Sequence, residues 1–209
     1  MIKWLILFTV ILLAAPTGCA PRVHPPHPPE EAVVAVASFS QPKHRWEFIT
    51  HHVTVDWERI DQDVLSKLDS DLSTLTMQSR QLIVGPEAVE KCREVVASDI
   101  GPEGSAFHFW VQVGKCVPAD YILVPFVFEW RERKGSPWGV EKPAAVTLEM
   151  NLIDLQDLEL HRYFFDERQY SLLEDLSQVG KFFRRGGKWI SARELAGEGL
   201  EKGLKELGL

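Results

Sequence analysis

Two stretches decide the fold: YILVPFVFEW at residues 121–130 and AAVTLEMNLID at residues 144–154. The first is apolar on both faces of an extended chain at its start, the pattern of a strand covered from two sides. Pro125 interrupts it; proline donates nothing to a ladder, which points to an edge strand or a bulge. The second alternates, with Val146, Leu148, Met150 and Leu152 on one face and Thr147, Glu149 and Asn151 on the other. A period of two predicts a strand with one buried and one wet side. Residues 158–167 return as its hairpin partner.

Outward from this hairpin, helical and extended periods alternate. VVAVASF at 33–39 is short and β-branched, a buried first strand. Residues 41–52 are polar and aromatic and read as irregular. From Trp57, the residues Ile60, Val64, Leu68, Leu72 and Leu75 recur at three- and four-residue steps, an amphipathic helix with Asp56 as a possible cap. Residues 81–84 form a brief strand, and Pro86 suits the first position of a helix whose face is Val89, Cys92 and Val96. Gly101-Pro102-Glu103-Gly104 breaks the chain. Ser105 then caps a helix carrying Phe109, Trp110, Val113 and Cys116 or Val117. Beyond the hairpin, Leu172, Leu173, Leu176, Val179 and Phe183 have helical spacing, closed by Gly186-Gly187. A capping box from Ser191 to Glu194 opens a last helix on Leu195, Leu200, Leu204 and Leu207. Glycines 197, 199 and 203 weaken that helix, so it depends on docking. The order β-α-β-α-α-β-β-β-α-α predicts an α+β fold: a two-layer α/β sandwich, mainly antiparallel, in one domain over residues 32–209.

Composition narrows the function classes. The 209 residues are 45% hydrophobic and 25% charged with three cysteines, which excludes a disordered, collagen-like or disulfide-dense chain. A net charge of −7 argues against a nucleic-acid partner. Met1-Ile2-Lys3 followed by an apolar run to Ala15 reads as a cleaved signal peptide over residues 1–18. The run is too short, at about 18 Å of helix, for a hydrocarbon core of roughly 30 Å. Thr17-Gly18-Cys19 resembles the lipobox of bacterial lipoproteins, although Pro16 stands where that family usually has Leu. The resemblance implies that Cys19 carries the acyl chains, palmitate among them, which hold the protein to a membrane. Ala20 after the cysteine implies, on the same resemblance, the outer membrane with the domain facing the periplasm. Residues 19–31 hold Pro25, Pro26, Pro28 and Pro29, an extended polyproline tether.

VVAVASFS at 33–40, ADYILVPFV at 119–127 and AVTLEMNLID at 145–154 together resemble periplasmic lipoproteins with a TolB-N-terminal-like or curli-assembly-type α/β domain. Penicillin-binding-protein-activator lipoproteins share this architecture. The chain departs from many of them in its hairpin turn, Leu155-Gln156-Asp157, where they carry Thr-Gly. The resemblance implies a binding or assembly protein without catalysis.

Chemical motifs point the same way. The sequence has no G-x-S-x-G, H-E-x-x-H, C-x-x-C or calcium loop, and implies no cofactor. His24 and His27 sit in a stiff solvated spacer, and adjacent His51 and His52 in a strand face opposite ways, so no metal site is expected. His108 and His161 read as packing residues. Two segments are candidate partner surfaces. Trp130, Arg131, Arg133 and Trp138 combine residue types enriched at binding hot spots, the alternative being a solvated strand end. Arg184 and Arg185, in the basic-aromatic run 182–189, suit lipid headgroups or an anionic polymer. The expected function is a membrane-tethered, non-enzymatic interaction or assembly module of a transport, secretion or cell-wall complex. A small periplasmic hydrolase would instead show a pocket of converging titratable groups, and a lipid carrier a large apolar cavity. The module needs an exposed Trp/Arg patch and neither of those.

Once Cys19 is acylated, Cys92 and Cys116 remain, an even pair in an oxidising compartment. The break at 101–104 lets their helices pack antiparallel, so a disulfide between them is expected. For Cys19, metabolic labelling with a fatty-acid probe is expected to mark the wild-type chain and to fail on Cys19→Ser. Label retained by the variant overturns the lipoprotein reading.

Overall fold

The computed structural model describes residues 28–50, 58–100, 105–169 and 179–209. Cys19 with most of the tether, His51, His52 and Asp56, the glycine break at 101–104, and Leu172 to Leu176 lie outside the described residues. Five strands form one mixed sheet in the order β2-β1-β3-β6-β7. They are β1 (Val33–Val36), β2 (Leu82–Val84), β3 (Tyr121–Arg131), β6 (Ala145–Asp154) and β7 (Leu160–Arg168). β4 (Lys134–Gly135) and β5 (Val140–Lys142) make a separate two-stranded ribbon. The helices are α1 (Gln62–Thr76), α2 (Pro86–Ile100), α3 (Ala106–Cys116), α4 (Val179–Arg184) and α5 (Ala192–Leu207).

The class is α+β. β1 pairs parallel with both neighbours over three residues each, whereas the long ladders β3/β6 and β6/β7 are antiparallel. The expected two layers are three. Leu65, Leu68 and Leu72 of α1 and Leu195, Leu200 and Leu204 of α5 pack on Val34, Leu123, Leu148 and Met150. Val89 and Val96 of α2 and Trp110, Val111 and Val113 of α3 pack on Ala35, Ile122, Val124 and Phe126, the opposite sheet face. A strand apolar on both faces demands cover on both, and β3 is such a strand. A disulfide between Cys92 and Cys116, with Cα atoms 5.8 Å apart, ties α2 to α3. α1 begins at Gln62 behind Asp61, later than the periodicity from Trp57 suggests.

Two expectations drawn from the deciding stretches are corrected. Pro125 is on neither an edge nor a bulge. It lies inside β3, opposite Met150 of β6, and the ladder's irregularity falls later, between Val127 and Glu129. Leu123 and Pro125 turn their carbonyls, and Val127 its N–H, toward the β1 side, accepting from or donating to Ala37, Ser40 and Ser40 respectively. The missing Pro125 N–H therefore points to the place where the chain after β1 steps out of the ladder, and no bond is lost there. The second correction concerns Thr147, Glu149 and Asn151, which are buried, not wet; Glu149 is 3% exposed and Asn151 0%. Residues 41–50 cover this side. Phe48 stacks on Phe128 with ring centres 5.7 Å apart, and Ile49 enters the core. Asn151 Nδ2 donates to Glu149 Oε1 at 2.9 Å, and Thr147 Oγ1 donates to Asp166 Oδ1 at 3.0 Å. Thr50 and Arg162 both donate to Glu149, at 3.4 and 3.5 Å. Burial is tolerated because these groups bond one another and the Val124 carbonyl, although Asn151 Oδ1 has no hydrogen-bond partner.

α5 carries the capping box, Ser191 Oγ accepting from Glu194 N while Glu194 Oε2 accepts from Ser191 N at 2.8 Å. Its glycines fall into two kinds. A Cβ on Gly203 would lie 2.6 Å from both Met150 Sδ and the Tyr163 ring, and one on Gly199 would lie 2.8 Å from the Phe165 ring, whereas Gly197 faces open space. Close approach of helix to sheet requires the first two; the third only lowers helix propensity. Gly197→Ala is expected to raise stability by up to about 1 kcal/mol in chemical denaturation. Gly203→Ala is expected to lower it by about 1–3 kcal/mol through overpacking. Equal effects of the two would refute this division.

Candidate functional site

The partner-surface residues predicted from sequence divide into those turned inward and those left at the surface. Trp130 is half-buried against the core shared with α5. Arg131 donates from Nε to the Pro143 carbonyl at 3.1 Å and pairs with Glu129 at 3.6 Å. Arg133 donates to the Trp189 carbonyl, while the adjacent Glu132 accepts from Ala192 N at 3.2 Å and so holds the start of α5. Arg185 bonds Glu198 with Nε at 3.0 Å and Nη2 at 2.7 Å, and reaches Glu167 at 3.3 Å. Burial pulls the Arg185 guanidinium down, but Glu198 and Glu167 outweigh it, and its pKa stands above the ordinary value. These cations brace the junction between strand end, ribbon and α5.

Trp138 is different. It crowns the β4–β5 ribbon, 67% exposed, with Lys188 Nζ 5.0 Å above its ring. Trp189 N donates to the Pro137 carbonyl at 3.0 Å, which sets the segment after α4 beside the ribbon. Arg184 and Phe183 are exposed on the same segment, Phe183 by 69%. The outward cluster is therefore Trp138, Phe183, Arg184 and Lys188; the last is one that motif reading undervalued.

A second site was not legible in the sequence. Adjacent parallel strands β1 and β2 send their helices, α1 and α2, to opposite sheet faces. At such a switch point neither helix covers the strands' carboxyl ends, and a crevice remains. It is a cleft of about 860 Å³, walled by residues 37–43, α1, α2 and α3. Phe39, Phe109, Trp110 and Phe126 give it an apolar floor, and Asp69, Glu90, Arg93, Arg59, Lys43 and Glu47 bring charge around it. The cleft coexists with the exposed tryptophan patch. Its mixed lining does not suit a lipid carrier, and its carboxylates are bonded to neighbours instead of converging on a free centre. Among the described residues no group of three His, Cys, Asp or Glu is placed to hold a metal.

Asp69 joins the cleft to the fold. Its Oδ1 accepts the Phe39 N–H at 2.6 Å, tying α1 to the chain leaving β1. Burial pushes its carboxyl above the ordinary value, against the pull of the Phe39 amide and the Ser38 hydroxyl. A carboxyl with a raised folded-state pKa favours the native state fully below its unfolded value of 3.8, and that contribution is lost as pH rises through the folded pKa. The ionised form is thus tolerated for the bond it makes. Asp69→Asn keeps an acceptor and removes the charge, so its stability at pH 7 is expected within about 1 kcal/mol of wild type. Asp69→Ala strands a buried amide and is expected to lose about 1–3 kcal/mol in urea unfolding. Equal losses in the two variants would show that the hydrogen bond is not what Asp69 contributes.

No family model and no curated protein matches the chain. Among solved structures, it is similar to the PelC dodecamer from Paraburkholderia phytofirmans at 18% identity, over 88% of this chain and 94% of that one, with a TM-score of 0.45. It is similar to lipoprotein GNA1162 from Neisseria meningitidis at 11% identity, over 74% and 94%, with a TM-score of 0.42. For the LpoB C-terminal domain from Salmonella enterica the identity is 12%, the coverage 66% and 83%, and the TM-score 0.37. Each of these is a likeness at 18% identity or less.

Proposed function

We propose that the chain is a lipoprotein of the bacterial envelope, anchored through acyl chains on Cys19 in the outer membrane. Its periplasmic domain is a non-catalytic interaction module of a transport, secretion or cell-wall complex. The observation that supports this reading is the polarity of the domain. The chain enters at one end, where Gln81 Nε2 donates to the carbonyls of Pro28 and Gly208 and Arg80 pairs with Glu30. β1 and β3 run parallel away from that end. β3 has 11 residues, and at about 3.3 Å each an extended strand of that length spans roughly 36 Å. The ribbon bearing Trp138 follows directly on its far end. An anchor at one end and an exposed aromatic-cationic cluster at the other suit a domain that meets its partner away from the membrane. Trp and Arg are the side chains that most often dominate such contacts.

Photocrosslinking in cells from position 138 is expected to capture a discrete envelope partner, and crosslinking from position 157, beside the tether end, is not. Trp138→Ala with Arg184→Ala is expected to leave the melting temperature within a few degrees, since exposed substitutions cost about 0.5 kcal/mol or less each. The same pair is expected to weaken the captured complex at least about tenfold, the loss of one hot spot. A complex captured equally well from position 157, or unaffected by the double substitution, overturns the distal surface as the binding face.

A further inference from the structure

The cleft at the carboxyl end of β1 lies apart from the distal cluster, and its three cations and three carboxylates are not all paired off one against another. Each of the three carboxylates that line it is already engaged. Glu47 Oε2 accepts the Lys43 N–H at 2.6 Å and the His44 N–H at 3.4 Å. Glu90 is held by both arms of Arg93 at 2.6 and 2.7 Å, and Asp69 holds the Phe39 amide. Two cations on the same cleft, Lys43 and Arg59, have no carboxylate within ion-pair distance among the described residues. The first turns of α1 and α3 also open here, through Gln62 and Ala106. The N-cap side chains of both helices, Asp61 and Ser105, make no hydrogen bond to those turns. At the start of α3 the unsatisfied amides and the positive end of the helix dipole add to the two side-chain cations, whereas at the start of α1 the Asp61 and Asp63 carboxylates offset that contribution.

The rest of the lining is aromatic. Trp46 stacks on His44 at 4.3 Å between ring centres and keeps 53% of its surface exposed at the rim, and Trp110 lies deeper. About 860 Å³ is ample for a metabolite-sized ligand. We infer that this cleft is a binding site for a soluble small anion, a carboxylate or phosphate joined to an aromatic or apolar body. Lys43 and Arg59 meet the anionic head and Trp46 stacks on the body. The inference is independent of the partner surface at the ribbon.

The full folded domain is titrated at low salt with phenyl phosphate, with inorganic phosphate, and with phenethylamine as a cation of similar shape, by calorimetry and tryptophan fluorescence. Phenyl phosphate is expected to bind at millimolar concentration or tighter (about −4 kcal/mol or better), more tightly than inorganic phosphate, with added salt weakening it. Phenethylamine is not expected to bind. Lys43→Ala with Arg59→Ala is expected to weaken phenyl phosphate at least fivefold while the melting temperature stays unchanged. Trp46→Ala is expected to weaken phenyl phosphate but leave inorganic phosphate unaffected. Binding of the amine as tight as that of the phosphate ester, full affinity in the double variant at unchanged melting temperature, or no binding of phenyl phosphate, overturns the site.

Discussion

The molecule depends on β3 being buried on both faces while paired along both edges. Ile122, Leu123, Val124 and Val127 are all fully buried, which no single layer of helices achieves. One face is closed by α1 and α5, the other by α2 and α3 with the segment at 41–50. The pairing is of two kinds. Along β6 it is a long antiparallel ladder; along β1 it is a short parallel one that ends when the chain leaves at Ala37. That early departure accommodates Pro125 and also creates the crevice at the carboxyl end of β1. A single geometric constraint thus explains a proline in a central strand and the cleft beside it.

Polar burial follows from the same arrangement. Because residues 41–50 must cross back over β6, the polar row Thr147, Glu149 and Asn151 loses its water and is satisfied internally except at Asn151 Oδ1. The Glu149 carboxylate gathers donors from three separated parts of the chain, Thr50, Asn151 and Arg162. A buried acid with one such donor removed is destabilising, whereas the complete cluster specifies where the cover must sit. Charge pairing at the other end of the sheet acts alike: Glu132, Arg133 and Arg185 align ribbon, strand end and α5, which leaves Trp138, Arg184 and Lys188 as the side chains directed outward.

Much of the fold was legible in local pattern. Period-two alternation marked β6, the doubly apolar run marked β3, the 3–4 steps marked α1, and the Ser191–Glu194 box marked the start of α5 to the residue. The cysteine count suggested the 92–116 bridge seen between α2 and α3. Less of the candidate site was legible. Residue type singled out Trp138, but the same criterion singled out Arg133 and Arg185, whose charges are engaged within the domain. Type cannot report on partners outside the local stretch, such as Glu198, 13 residues from Arg185, and the Trp189 carbonyl, 56 residues from Arg133. The glycines of α5 show the same limit, since the sequence treats positions 197, 199 and 203 alike and only packing against Phe165, Tyr163 and Met150 separates them.

The sequence by itself determined the elements, their order and their apolar faces, because periodicity and capping act within a few residues. It also sets Cys19 between an apolar run and a proline-rich stretch. Only the tertiary structure decided which polar row would be covered, why a proline is harmless inside the sheet, and where the helices diverge to leave a cleft. Each of these depends on what a remote segment places against a given face, and burial, unlike periodicity, is a property of two surfaces that meet.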